Sequence, residues 1–99
     1  MNVKVKFLGI IRDITKGSEL ELQMPEGATI RGLLQELNRK YGQDFADRVL
    51  DDHLGVRTYV KLFLNNYEVT DLDTEIIADG PAANALLYVM PGSTGGTSS

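Results

Sequence analysis

The chain opens on strict alternation. In "NVKVKFLG", Val3, Val5 and Phe7 share one face and Lys4 and Lys6 the other, which predicts a half-buried strand. "IIRDITKGS" carries a turn at Lys16-Gly17, and "ELELQM" alternates again with Leu20, Leu22 and Met24 inward. Two such runs joined by a short Gly-containing segment predict a hairpin. The period then changes. After "PEGAT", residues Ile30, Leu33, Leu34, Leu37 and Tyr41 recur at helical spacing and form one apolar stripe. Thr29 is placed to accept a hydrogen bond from a free amide of the first turn, and Gly42 to end the helix. Gly32 weakens that helix by about 1 kcal/mol relative to Ala, which points to a close approach by a neighbouring strand.

Further on, "DFADRVLDDHLG" carries only Phe45 and Val49 at helical spacing and predicts a weaker helical turn or loop. "RTYVKLFLNNYEV" reads as strand, turn, strand, with Asn65-Asn66 as a two-residue type I′ turn because Asn tolerates positive φ. "TDLDTEI" predicts a short turn and "ADGPAAN" a loop. "ALLYVMP" is a last apolar strand stopped by Pro91. A continuously apolar strand belongs in the middle of a mixed sheet, with the N-terminal strand as its parallel neighbour. The expected class is α+β, a β-grasp: a mixed sheet wrapped on one main helix. Residues 1–91 form the expected domain and residues 92–99 a flexible Gly/Ser/Thr tail with Gly-Gly at 95–96.

Composition narrows the chemistry. The 99 residues suit a single domain, 42% apolar and 24% charged. Without cysteine there is no disulfide, thiolate nucleophile or cysteine-held metal. His53 is the lone histidine. Beside Asp51-Asp52 it reads as a surface loop, since adjacent loop residues rarely converge on one ion. No bound metal and no resident cofactor are expected. No apolar run approaches the roughly 20 residues that span a bilayer, and no apolar signal segment opens the chain, so a cytoplasmic location without membrane attachment is expected.

The net charge of −4 argues against a nucleic-acid partner. The acidity is also uneven. No basic residue follows Lys61, whereas Glu68, Asp71, Asp73, Glu75 and Asp79 all do. Such a field favours a basic protein partner, although acidic turns that simply keep a domain soluble have the same composition.

The body offers no nucleophile–base pair, carboxylate dyad or phosphate loop, which leaves "PGSTGGTSS". Taken alone, it reads as a linker or a disordered end. A Gly-Gly segment leaving a central strand can also be threaded through a narrow channel, because it has no β-carbons. Together with the element order, "MPEGATIRGLLQEL", "KLFLNNYEV" and the terminal "GG", the chain resembles the ubiquitin-like sulfur carriers from Asn2 to Gly96. Within that family it is most similar to the molybdopterin synthase small subunit, with the thiamine sulfur carrier more distant.

The resemblance implies a function. The carboxylate of Gly96, with Gly95 beside it, would be adenylated with ATP by an adenylyltransferase related to ubiquitin-activating enzymes, then converted to a thiocarboxylate. The tail would next enter the molybdopterin synthase large subunit and deliver sulfur. The chain itself would be a carrier and not an enzyme. Docking is expected on apolar residues of the exposed sheet face, for which the strand pattern offers Phe7, Leu62, Leu64 and Val89. Two departures stand out. Thr97, Ser98 and Ser99 follow the Gly-Gly, so a carrier must first be clipped after Gly96, as a metalloprotease does for some family members, or the three residues are not native. The "ADGPAAN" loop is longer and more apolar than usual. Other readings stay open: a β-grasp interaction module with an inert tail, or a carrier for thiamine, cysteine, tRNA thiolation or protein tagging, with another sulfur acceptor enzyme.

Overall fold

The computed structural model describes residues 1–53 and 55–90. Eight elements follow one another: β1 (Asn2–Gly9), α1 (Arg12–Thr15), β2 (Glu19–Gln23), α2 (Ile30–Tyr41), α3 (Gln43–Val49), β3 (Val60–Leu64), β4 (Tyr67–Glu68) and β5 (Ala83–Val89). The strands form one sheet in the order β2-β1-β5-β3-β4. As its apolar sequence requires, β5 lies in the middle, parallel to β1 and antiparallel to β3. The expected β1–β2 hairpin forms with Val5 opposite Leu20. Its connection is a one-turn helix, α1, closed by Lys16 at φ 59°, where the sequence indicated only a turn.

The main helix follows the pattern residue by residue. Thr29 Oγ1 accepts the Gly32 amide at 3.2 Å, and Gly42 ends the helix at φ 80°. Ile30, Leu33, Leu34 and Leu37 are all buried, each contributing roughly 2 kcal/mol by leaving water. They share one core with Val3, Val5 and Phe7 of β1 and Ala85, Leu87 and Val89 of β5. Tyr41 joins helix to sheet, edge-on to Phe7 at 6.1 Å and stacked on Phe45 of α3 at 6.2 Å. Gly32 departs from expectation. A β-carbon there would meet only Thr29 Oγ1, at 3.7 Å, so no strand approaches closely.

The segment between β4 and β5 does more than turn. Its Thr74 and Leu72 carbonyls accept the amides of Ile30 and Arg31, two donors that the first helical turn leaves free. Ile76 is buried and donates its own amide to Ala28. Leu72 and Ile76 thereby seal the N-terminal end of α2 against the core.

Candidate functional site

Gly95 and Gly96 lie outside the described residues. What the structure defines is the root from which their segment departs, and the sheet face beside it. Val89, last residue of β5, pairs with Gly9 of β1 and with Val60 of β3. Its carbonyl accepts the Ile10 amide at 3.2 Å, and the next amide, of Met90, donates to the Tyr59 carbonyl at 3.0 Å. The root is therefore held on both sides by backbone.

Gly9 makes this possible. It sits at φ +87°, and a β-carbon there would lie 2.1 Å from the Val89 carbonyl oxygen and 3.1 Å from the Tyr88 ring. Both the left-handed conformation and the close approach exclude a side chain. Sequence reading missed this residue. The available signal was a glycine at the end of an otherwise alternating strand.

The expected docking residues require correction. Phe7, Leu62, Leu64 and Val89 are buried, at 3%, 5%, 8% and 0% exposure. They belong to the helix-covered face, because alternation assigns each strand's more apolar set to the core. The opposite face carries Leu8 of β1, Phe63 of β3, and Leu86 and Tyr88 of β5. Register brings Leu8 beside Tyr88 and Phe63 beside Leu86. Leu8 is 45% exposed, and the other three are half-buried. Lys6 pairs with Leu86, and Lys61 with Tyr88, so the apolar group has cations at its sides. Lys6 lies 3.9 Å from Glu19 in an exposed pair, which is worth little in water. An apolar patch with cationic flanks, next to the tail root, can bury against a partner while the tail reaches elsewhere.

Asp51 and His53, considered above as metal ligands, are joined by a turn. Asp51 Oδ1 accepts the backbone amides of His53 at 2.8 Å and Gly55 at 2.9 Å. The Gly55 amide, then the His53 amide, hold the carboxyl below its ordinary range by favouring the charged form. One of its oxygens is thus already committed to closing the loop.

The mixed sheet with its central last strand accords with the comparisons. The model described as the ThiS family matches residues 5–81, more than half of the chain. The chain belongs to that family of ubiquitin-like sulfur carriers. Such proteins are small carriers rather than catalysts. No curated protein matches the sequence.

Among solved structures, SAMP1 from Haloferax volcanii is 14% identical, with a TM-score of 0.75 over 97% of this chain and 100% of that one. A putative molybdopterin converting factor subunit 1 from Pyrococcus furiosus is 21% identical, with a TM-score of 0.68 over 91% and 98%. The Amycolatopsis orientalis BexX/CysO complex matches at 18% identity and a TM-score of 0.66 over 95% and 99%. At these identities the likeness is one of fold, the β-grasp. Within this ThiS-family chain, no helix of the described residues is long and apolar enough to cross a membrane.

Proposed function

We propose that the chain carries sulfur as a thiocarboxylate on Gly96, after removal of Thr97 to Ser99, for assembly of molybdopterin. The supporting observation is the combination of a ThiS-family domain with Gly95-Gly96 a few residues beyond its central strand. Gly96 lies six residues past Met90, a stretch that spans at most about 20 Å when fully extended. Such a reach would let the carboxylate enter a partner's active site while the domain stays outside. The molybdopterin assignment is supported by the likeness of "MPEGATIRGLLQEL" and "KLFLNNYEV" to the synthase small subunit.

The chemistry belongs to the partners. A carboxylate oxygen of Gly96 attacks the α-phosphorus of ATP in a ubiquitin-activating-like adenylyltransferase, and pyrophosphate leaves. Hydrosulfide then attacks the acyl carbon, AMP departs and the sulfur loses its proton, leaving a thiocarboxylate on Gly96. Gly95 and Gly96 contribute a backbone without β-carbons, narrow enough for a channel. The patch of Leu8, Phe63, Leu86 and Tyr88 supplies docking energy. With residues 97–99 attached, the Gly96 carbonyl is a peptide carbonyl and cannot be adenylated, so a metalloprotease that cleaves after Gly96 completes the scheme.

Intact mass tests this directly. Incubated with an activating enzyme, ATP and a sulfur source, a chain ending at Gly96 is expected to gain one sulfur-for-oxygen exchange, and the full chain to remain unchanged. Replacing Gly96 with Ala in the truncated form is expected to abolish loading. An unmodified truncated chain with activating enzymes of several pathways would favour an interaction module with an inert tail, a reading that the three residues after Gly96 support. Loading by an enzyme of another pathway, but not the molybdopterin one, would move the carrier to that pathway.

A further inference from the structure

Tyr67 and Ile77 are 78% and 63% exposed, two of the three large apolar side chains the described residues leave in water. The third, Leu8, belongs to the open face already described. Tyr67 and Ile77 line one concavity, at the β4 end of the sheet, with the buried Leu64 beneath. Glu68, Asp71, Glu75 and Asp79 stand around it. Among the described residues, none of these four carboxylates takes part in an ion pair.

The exposure is built in. Ile76 is buried and its amide is bonded to Ala28, whereas the adjacent Ile77 side chain is exposed. The Ile77 carbonyl accepts from Asn65 Nδ2 at 2.8 Å, and Asn65 Oδ1 accepts the Asn84 amide at 2.9 Å. One asparagine thus pins the segment bearing Ile77 to both the hairpin and β5. An exposed isoleucine held in place loses little further entropy when a partner covers it.

We propose that this concavity is a docking site for an extended, lysine- or arginine-bearing segment of a partner protein, separate from the tail. Unpaired carboxylates around two exposed apolar side chains call for a ligand that alternates cationic and apolar groups. A metal ion or small cation would leave Tyr67 and Ile77 in water. A second copy seated patch to patch would oppose like charges. The extended form follows from the sheet: β4 is one of its two edge strands and only two residues long. Val69 donates to Leu62 and Tyr67 pairs with Leu64, so alternation along the ladder directs the Glu68 amide and carbonyl outward, where a strand can add.

The site lies away from the tail root. Tyr67 is opposite Leu64, whereas Val89 is opposite Val60, four residues or about 13 Å further along β3. A segment bound there leaves Gly9, Met90 and the open face accessible. The proposal is independent of the sulfur reading, and failure of loading would not affect it.

The test is an NMR titration of the 15N-labelled full chain at low salt. The probe is an end-blocked octapeptide of alternating lysine and valine. Matched lysine–serine and glutamate–valine octapeptides are the controls. The lysine–valine peptide is expected to shift the amides of Tyr67, Glu68, Ile77 and Asp79, more strongly than either control. The double variant Glu75→Gln/Asp79→Asn is expected to bind about fivefold more weakly. Ile77→Ser is expected to lose localised binding at unchanged melting temperature. No localised shift at millimolar peptide overturns the proposal, as does equal binding of the lysine–serine peptide, which would mean charge alone. Shifts of the same amides with protein concentration alone would assign the surface to a second copy and overturn it too.

Discussion

Gly9 and Asn65 carry more of this molecule than their size suggests. Gly9 allows the Val89 carbonyl into a space that any β-carbon would occupy, and so decides how the chain leaves β5. Gly9→Ala is expected to destabilise the fold by about 2–4 kcal/mol, combining left-handed strain with overpacking, measurable as a lowered urea midpoint. Asn65 and Asn66 both have positive φ, at 50° and 75°, yet they are not equivalent. Asn65 bonds through its side chain to Ile77 and Asn84, whereas among the described residues no side-chain bond holds Asn66. Asn65→Gly keeps the backbone conformation but loses both bonds, and is expected to cost about 1–3 kcal/mol. Asn66→Gly is expected to be neutral or to stabilise by about 0.5 kcal/mol, since glycine is preferred at the second position of this turn. Thermal melts of the two variants separate the conformational role from the bonding one.

At the scale of elements, α2 was legible because every level of information agrees on it. Thr29 caps it, Gly42 stops it, and its apolar stripe is the buried face. What local pattern could not supply was the partner of its first amides, since the Leu72 and Thr74 carbonyls come from a segment about forty residues away in sequence. Gly32 was the misleading signal. Its space is open, so Gly32→Ala should stabilise the protein by about 1 kcal/mol through helix propensity alone, read as a higher melting temperature. A drop instead would mean that the helix face at Gly32 is closely packed. The one-turn α1 escaped detection because four residues carry no measurable period.

Over the whole molecule, charge and apolar surface are divided between two places. Leu8, Phe63, Leu86 and Tyr88 meet Lys6 and Lys61 on the open sheet face near the tail root. Tyr67 and Ile77 meet carboxylates at the β4 end. If the first surface docks the activating enzyme, Leu8→Glu should slow pyrophosphate release by about tenfold with the chain ending at Gly96. Its stability should change by no more than about 0.5 kcal/mol, because Leu8 is already 45% exposed. The rate of pyrophosphate formation and a melting curve check both halves of that expectation. Two separated surfaces would let a small domain hold one partner while presenting its tail to another.

Alternation, helical periodicity, the Asn-Asn turn and the central apolar strand were enough to read out the β-grasp, because each is a short-range consequence of which side chains avoid water. The same reasoning could not say which face of the sheet stays open. The resemblance pointed to Phe7, Leu62, Leu64 and Val89 as docking residues, whereas alternation favoured core for each of them, and the helix covers their side. Nor could it find the need for Gly9, the bonds of Asn65, or the concavity under Tyr67 and Ile77. Each of these depends on backbone segments distant in sequence coming within hydrogen-bonding or van der Waals range, which only the closed fold brings about.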